Sequence, residues 1–117
     1  MDIESQPPDW VRAVLPMAVL SIVCEEETYG YAIAHRLQSA GLGAIKGGTL
    51  YPVLNRLEAA DLLTSSWREG VGGPGREFFT ATAAGRAHID ERATAWRTFS
   101  QQVDDLLPTR GARHDTP

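Results

Sequence analysis

The sequence predicts a mainly α (α+β) fold: a winged helix-turn-helix with a long C-terminal dimerisation helix. Three observations lead there. Between Lys46 and Leu63, the apolar residues Leu50, Val53, Leu54 and Leu57 fall at i, i+3, i+4 and i+7, one face of an amphipathic helix. Beyond Asp61 the apolar period drops from 3.6 to about 2 across two short runs separated by glycines, which is a hairpin. A final run from Ala83 carries Ile89, Ala93, Trp96, Ser100, Val103 and Leu107 at alternating spacings of four and three, a heptad seam with a polar gap at Ser100.

Residues 1–8 end in Pro7-Pro8 and are expected to be a disordered leader. A first helix should begin with Asp9 as its N-cap. Val11, Val14, Leu15, Ala18, Val19, Ile22 and Val23 form a wide apolar stripe, which Pro16 should kink or loosen at its start. Glu25, Glu26 and Glu27 read as a solvated helix end and turn. Thr28 is expected to cap a second helix from Tyr29 to about Ala40, with Ile33 and Leu37 inward and Arg36 outward, ending at Gly41 in a left-handed cap.

A short turn over residues 41–48 then leads into the third helix, whose opposite face carries Thr49, Tyr51, Pro52, Asn55 and Arg56. Two helices joined this way make a helix-turn-helix. Lys46 and two glycines precede the third helix and leave its positive end open to an anion. Pro52 is placed in its first turn, where a missing N–H costs little. The hairpin strands, Leu63–Glu69 and Arg76–Thr82, flank the tip Gly70-Val-Gly-Gly-Pro-Gly75 and form a wing, with Arg68 and Arg76 placed to reach a phosphate or a minor groove. Trp67 reads as core or wing packing. Thr82 caps the last helix, which Pro108 stops near Leu107; Phe99 and Leu106 widen its seam. Residues 9–82 thus make the DNA-binding unit, 83–107 the dimerisation helix and 108–117 a polar tail. A domain this small has nothing left to cover that seam, so a second copy of the chain is expected.

Composition sets limits. At 117 residues and 43% hydrophobic content the chain makes one domain with a modest core. The net charge of −4 does not favour nucleic acid, but its distribution does. Residues 1–27 hold six acids against Arg12 alone, whereas Tyr29–Leu57 contains Arg36, Lys46 and Arg56 and no acid. The single Cys24 excludes an internal disulfide, fits a reducing cytoplasm and reads as a small core residue. No apolar run approaches the roughly 20 residues of a membrane helix, and no export signal is visible at the start. His35, His88 and His114 are scattered without metal spacing, and no nucleophile–base pair or phosphate loop stands out, so neither a metal, a cofactor nor an enzymatic activity is expected.

Three blocks together resemble the PadR family of bacterial transcriptional regulators: Thr28-Tyr29-Gly30-Tyr31-Ala-Ile; Gly48-Thr49-Leu50-Tyr51-Pro52-Val-Leu-Asn-Arg56-Leu57-Glu58; and Gly73-Pro74-Gly75-Arg76-Glu-Phe78-Phe79-Thr-Ala-Thr82-Ala-Ala-Gly85. The resemblance spans roughly residues 10–107, and the single C-terminal helix is similar to that of compact multidrug-sensing members. Asp61 stands where the family usually has glycine, and Pro16 is unusual in the first helix.

What the resemblance implies is a cytoplasmic homodimeric repressor on a pseudo-palindromic operator in double-stranded DNA. It also implies a cavity at the dimer interface that takes a small planar, hydrophobic or aromatic effector. Trp96 matches the tryptophan that sandwiches such ligands. Ile89, Ala93, Phe99, Ser100 and Val103 on the last helix, and Ala13, Pro16 and Met17 on the first, match the remaining lining, with Trp10 at the rim. A winged helix that binds a protein instead of an operator is the alternative.

Overall fold

A computed structural model describes residues 6–109. Its elements run α1 (Pro8–Glu25), β1 (Thr28–Tyr29), α2 (Gly30–Ser39), α3 (Gly47–Ala59), β2 (Leu63–Arg68), β3 (Arg76–Ala81) and α4 (Ala83–Leu106). Most of the expected leader and tail, His114 included, lies outside the described residues.

One cluster holds the helices and sheet together. Leu15, Val19, Leu20 and Val23 of α1 meet Ile33 and Leu37 of α2, Leu50, Val53, Leu54 and Leu57 of α3, and Leu63, Phe79 and Ala81 of the sheet. All four α3 positions expected to face inward are buried. The α1 stripe turns slightly from its expected path: Leu20 is fully buried, while Val11, Ala18 and Ile22 only pack against the core's edge.

Helix starts depart from the sequence reading in three places. Pro7, not Asp9, is the N-cap of α1: Pro8 takes the first helical position, and the Pro7 carbonyl accepts from the amides of Trp10 and Val11, both at 3.1 Å. A proline is pre-set for that position and has no amide to leave unpaired. The helix then runs on through Pro16 without a break. Thr28 caps nothing. It is buried in β1 and pairs with Phe79, so Tyr29 becomes the N-cap of α2.

Helix α3 starts earlier than expected, because the Lys46 carbonyl accepts from Thr49 and Leu50 at 2.9 Å each, and both glycines enter the helix. Pro52 therefore sits in the second turn, not the first, where its ring removes the bond to the Gly48 carbonyl.

The sheet is antiparallel with strand order β1-β3-β2. Leu63 lies opposite Ala81 and Arg68 opposite Arg76, so the hairpin tip covers residues 69–75. The short β1 adds a third strand to the expected hairpin and ties the start of α2 to the wing.

Two helices end in the same motif. At α2, Leu42 N donates to Leu37 O and Gly41 N to Gln38 O, both at 3.0 Å, with Gly41 left-handed at φ +94°. At α3, Leu62 N donates to Leu57 O and Asp61 N to Glu58 O, and here the left-handed residue is Asp61 at φ +63°. That aspartate is the only non-glycine residue with positive φ among the described residues. Thr82 caps α4 as expected, its hydroxyl accepting from Gly85 N at 2.9 Å and donating to Asp61 O at 2.7 Å.

Helix α4 packs against α1, with Ile89 at the edge of the core. Of its residues only Gly85 is fully buried, and Trp96, Phe99, Val103 and Leu106 stand exposed.

Candidate nucleic-acid interface and the α1–α4 groove

With about 100° between successive helical residues, burial of Leu50, Val53, Leu54 and Leu57 points Gly48, Pro52 and Asn55 directly outward. Thr49 and Arg56 flank them on one side and Tyr51 on the other. All six are exposed, as is Lys46 at the N-cap. No side chain caps this helix end, so its first amides face solvent.

Tyr51 leans back toward α2. Its phenol lies so close over Gly30 that a Cβ there would collide with the hydroxyl oxygen, so residue 30 has room only for hydrogen. The first α2 turn and the recognition face of α3 are locked together at that contact.

The five arginines and lysines expected on this face do not stand alike. Among the described residues Lys46, Arg56 and Arg76 have no carboxylate partner, whereas Arg36 and Arg68 each have one. Arg36 Nη2 donates to both oxygens of Glu25, at 2.6 and 2.8 Å. Arg68 donates to Glu27, whose other oxygen accepts from Thr80 Oγ1 at 3.0 Å. Those bonds from Arg68 and Thr80 hold the Glu27 carboxyl below the usual carboxylate range.

The wing arginines also lie over rings: Arg68 is 4.3 Å from the Phe78 centroid and Arg76 is 4.4 Å from that of Tyr29. They face each other across β2 and β3, and the Glu27 carboxylate offsets that like-charge pairing. The acidic run is therefore more than a solvated turn. It neutralises two of the cations assigned to the interface.

Of the two packing roles expected for Trp67, the contacts are those of the wing and not the core: it is 68% exposed, and its indole lies over Gly75 at the base of the hairpin tip.

On the far side of the fold an open groove of about 520 Å³ runs between α1 and α4. Ala13, Pro16, Met17, Ile89, Trp96 and Phe99, six of the positions that the family resemblance implies for an effector, line it. Trp10, Ala93, Ser100 and Val103 do not. Val14, Leu20, Leu57, His88, Arg92 and Ala95 take part without having been expected.

The groove is bordered by the exposed edge of α4 through His88, Arg92, Ala95 and Phe99 together with Ile89 and Trp96 of the heptad stripe, whereas Ala93 and Ser100 are half-buried and lie outside it. The Trp96 and Phe99 rings lean together, with centroids 6.3 Å apart and planes at 46°.

Cys24 sits half-buried at the end of α1, and its carbonyl accepts from Arg86 Nη1 at 2.9 Å. Burial pushes the thiol above its ordinary range, Arg86 lowers it and Asp90 raises it further. Among the described residues no group of three or more metal-ligating side chains occurs, and no helix is long and apolar enough to cross a membrane.

A helix pair with an exposed second member, followed by a hairpin hydrogen-bonded to a strand ahead of the pair, defines a winged helix-turn-helix protein. The model of the transcriptional regulator PadR-like family matches residues 19–91, and the chain belongs to that family. It is 35% identical to the transcriptional regulator Rv3488 of Mycobacterium tuberculosis over 81% of this chain and 87% of that one. Solved structures give the same result. A PadR family transcriptional regulator from Eggerthella lenta superimposes with a TM-score of 0.77 at 34% identity, covering 87% of this chain and 88% of that one. A PadR-like transcriptional regulator from Bacillus cereus gives 0.76 at 27% identity, covering 87% and 99%. The protein is thus a regulator of transcription and not an enzyme.

Proposed function

We propose that two copies of this chain pair through α4 and bind a pseudo-palindromic operator as a repressor, released by a planar hydrophobic effector held near Trp96. The observation that carries the DNA reading is the outward face of α3: Lys46, Thr49, Asn55 and Arg56 are exposed together and no carboxylate of α3's outward face competes with them. In this reading residues 9–82 read DNA and residues 83–107 hold the two copies together, in the cytoplasm.

The pairing rests on α4. Trp96 is 42% and Phe99 56% exposed, with Val103 and Leu106 beyond them, and a second copy laid along this stripe removes that apolar surface from water at about 25 cal/mol per Å². Pairing sets the two α3 helices one DNA turn apart, about 34 Å. The effector acts only to the extent that it prefers the dimer shape that does not fit the operator. The open α1–α4 groove, closed over by the partner, supplies an apolar chamber with aromatic walls.

Sedimentation and fluorescence anisotropy with labelled duplex DNA test the reading together. A dimer at micromolar concentration whose DNA binding weakens steeply with salt is expected. A folded monomer refutes the pairing, and salt-insensitive or absent DNA retention leaves a protein-interaction module. Planar aromatic compounds should quench tryptophan emission in the wild type and not in Trp96→Ala. Compounds that change neither emission nor DNA affinity sink the effector chamber alone.

A further inference from the structure

A second recess, of about 440 Å³, opens on the DNA-facing side between the start of α2, the start of α3 and the wing. Its walls are aromatic: Tyr31, Tyr51 and Trp67, with Arg76 and Glu77 at the rim. Tyr31 is 76% exposed and Trp67 68%, although each belongs to a regular element with a buried side available.

Two of the rings are seated on glycine. Tyr51 lies on Gly30, and the Trp67 indole lies on Gly75, where an added Cβ would stand 2.6 Å from the ring. These rings are fixed to the backbone behind them while their other surfaces face solvent.

The place of the recess identifies its occupant. In a winged helix bound to DNA, the recognition helix enters a major groove and the wing reaches the adjoining minor groove. One sugar–phosphate strand separates those two grooves, and it must pass between α3 and the wing. The recess occupies that interval.

Resting on the DNA reading above, we propose that Tyr31, Tyr51 and Trp67 form a platform for this strand of duplex DNA. The Trp67 indole packs on deoxyribose, the Tyr31 hydroxyl donates to a phosphate oxygen, the Tyr51 ring walls the strand, and Arg76 supplies the charge. Bases stay stacked and unread, so the platform sets register and not sequence preference. Glu77 is the one carboxylate on the lining, and its charge opposes the phosphate.

The test uses the full chain and a fluorescein-labelled 30-base-pair duplex of arbitrary sequence at low salt. Tryptophan emission should change as the duplex saturates the wild type. The change should vanish in Trp67→Phe, in which Trp10 and Trp96 remain. Trp67→Phe keeps a ring and should stay within about twofold of wild-type affinity, whereas Trp67→Ala should weaken binding about tenfold with little change in salt slope, since a sugar contact releases no counterion. Tyr31→Phe should cost about 2- to 10-fold, and Glu77→Gln should tighten binding. An emission change that persists in Trp67→Phe, or equal affinity of Trp67→Ala and wild type, overturns the platform while leaving the regulator intact. A wild-type chain that binds no duplex overturns both.

Discussion

Replacing Glu27 by glutamine should strengthen DNA binding and make it more sensitive to salt. Glu27 holds the Arg68 guanidinium at the wing and takes a further bond from Thr80. An arginine engaged this way must exchange a carboxylate for a phosphate before it can contribute to DNA binding, and the exchange displaces no net counterion. Without the carboxylate, each Arg68 gains one phosphate outright.

Two wings per dimer, at about 0.9 units of log–log slope per phosphate, steepen the salt dependence by about 1.8. Between 50 and 200 mM salt, a fourfold rise, the variant's advantage over wild type should therefore shrink by about 12-fold. Acid will not imitate the mutation at ordinary pH. The carboxyl is held low by Arg68 and Thr80, so it stays ionised above the usual glutamate value of about 4.3. A depressed carboxylate stabilises the fold above that unfolded value, and the contribution is lost only as pH falls through the lower folded one.

Anisotropy titrations of a labelled duplex at four salt concentrations measure the slope. Glu26→Gln is the control: Glu26 is the exposed C-cap of α1 and removes the same charge without freeing Arg68. Equal slopes for Glu26→Gln and Glu27→Gln refute the reasoning.

Other outcomes follow from the same contacts. Asp61→Gly should stabilise the fold by about 0.5–1 kcal/mol, the left-handed cost of about 1–2 less the extra backbone freedom of glycine; an unchanged or lower midpoint in thermal melts at fixed protein concentration refutes the strain. Gly85→Ala should destabilise by about 1–3 kcal/mol, because its Cβ collides with the Leu62 carbonyl at the β3–α4 junction, and urea titration reads the loss. Alkylation of Cys24 by iodoacetamide should still be accelerating at pH 9.0, since burial favours the neutral thiol, and a plateau below that pH counts against it.

Local signals carried much of the fold. Leu50, Val53, Leu54 and Leu57 were legible as one buried face because side-chain direction along a helix follows from spacing alone. Thr82 and Gly41 were legible as helix ends because capping involves only residues within one turn. Thr28 misled for the opposite reason. A threonine ahead of an apolar run has the local chemistry of a cap, and its pairing with Phe79 comes from fifty-one residues away in the chain. Pro52 misled because two glycines resemble a turn, while the Lys46 carbonyl recruits them into the helix.

At the candidate sites, residue type was legible and partnership was not. Arg36 and Arg68 were chosen for charge, yet their electrostatic state depends on Glu25 and Glu27, eleven and forty-one residues distant. The heptad located the apolar stripe of α4 without showing where the groove beside α1 opens, so His88 and Arg92 line it unforeseen while Ala93, Ser100 and Val103 do not.

Spacing, capping residues and family motifs by themselves determined that this chain is a winged helix-turn-helix of the PadR-like family with a long last helix, since each of those features is settled within a few turns of backbone. Only the tertiary structure decided which cations remain free among the described residues, which edge of α4 borders the groove beside α1, and that Trp67 on the wing and Tyr31 beside it stand in the open. Those depend on distances between residues far apart in the chain, and no local pattern encodes a distance.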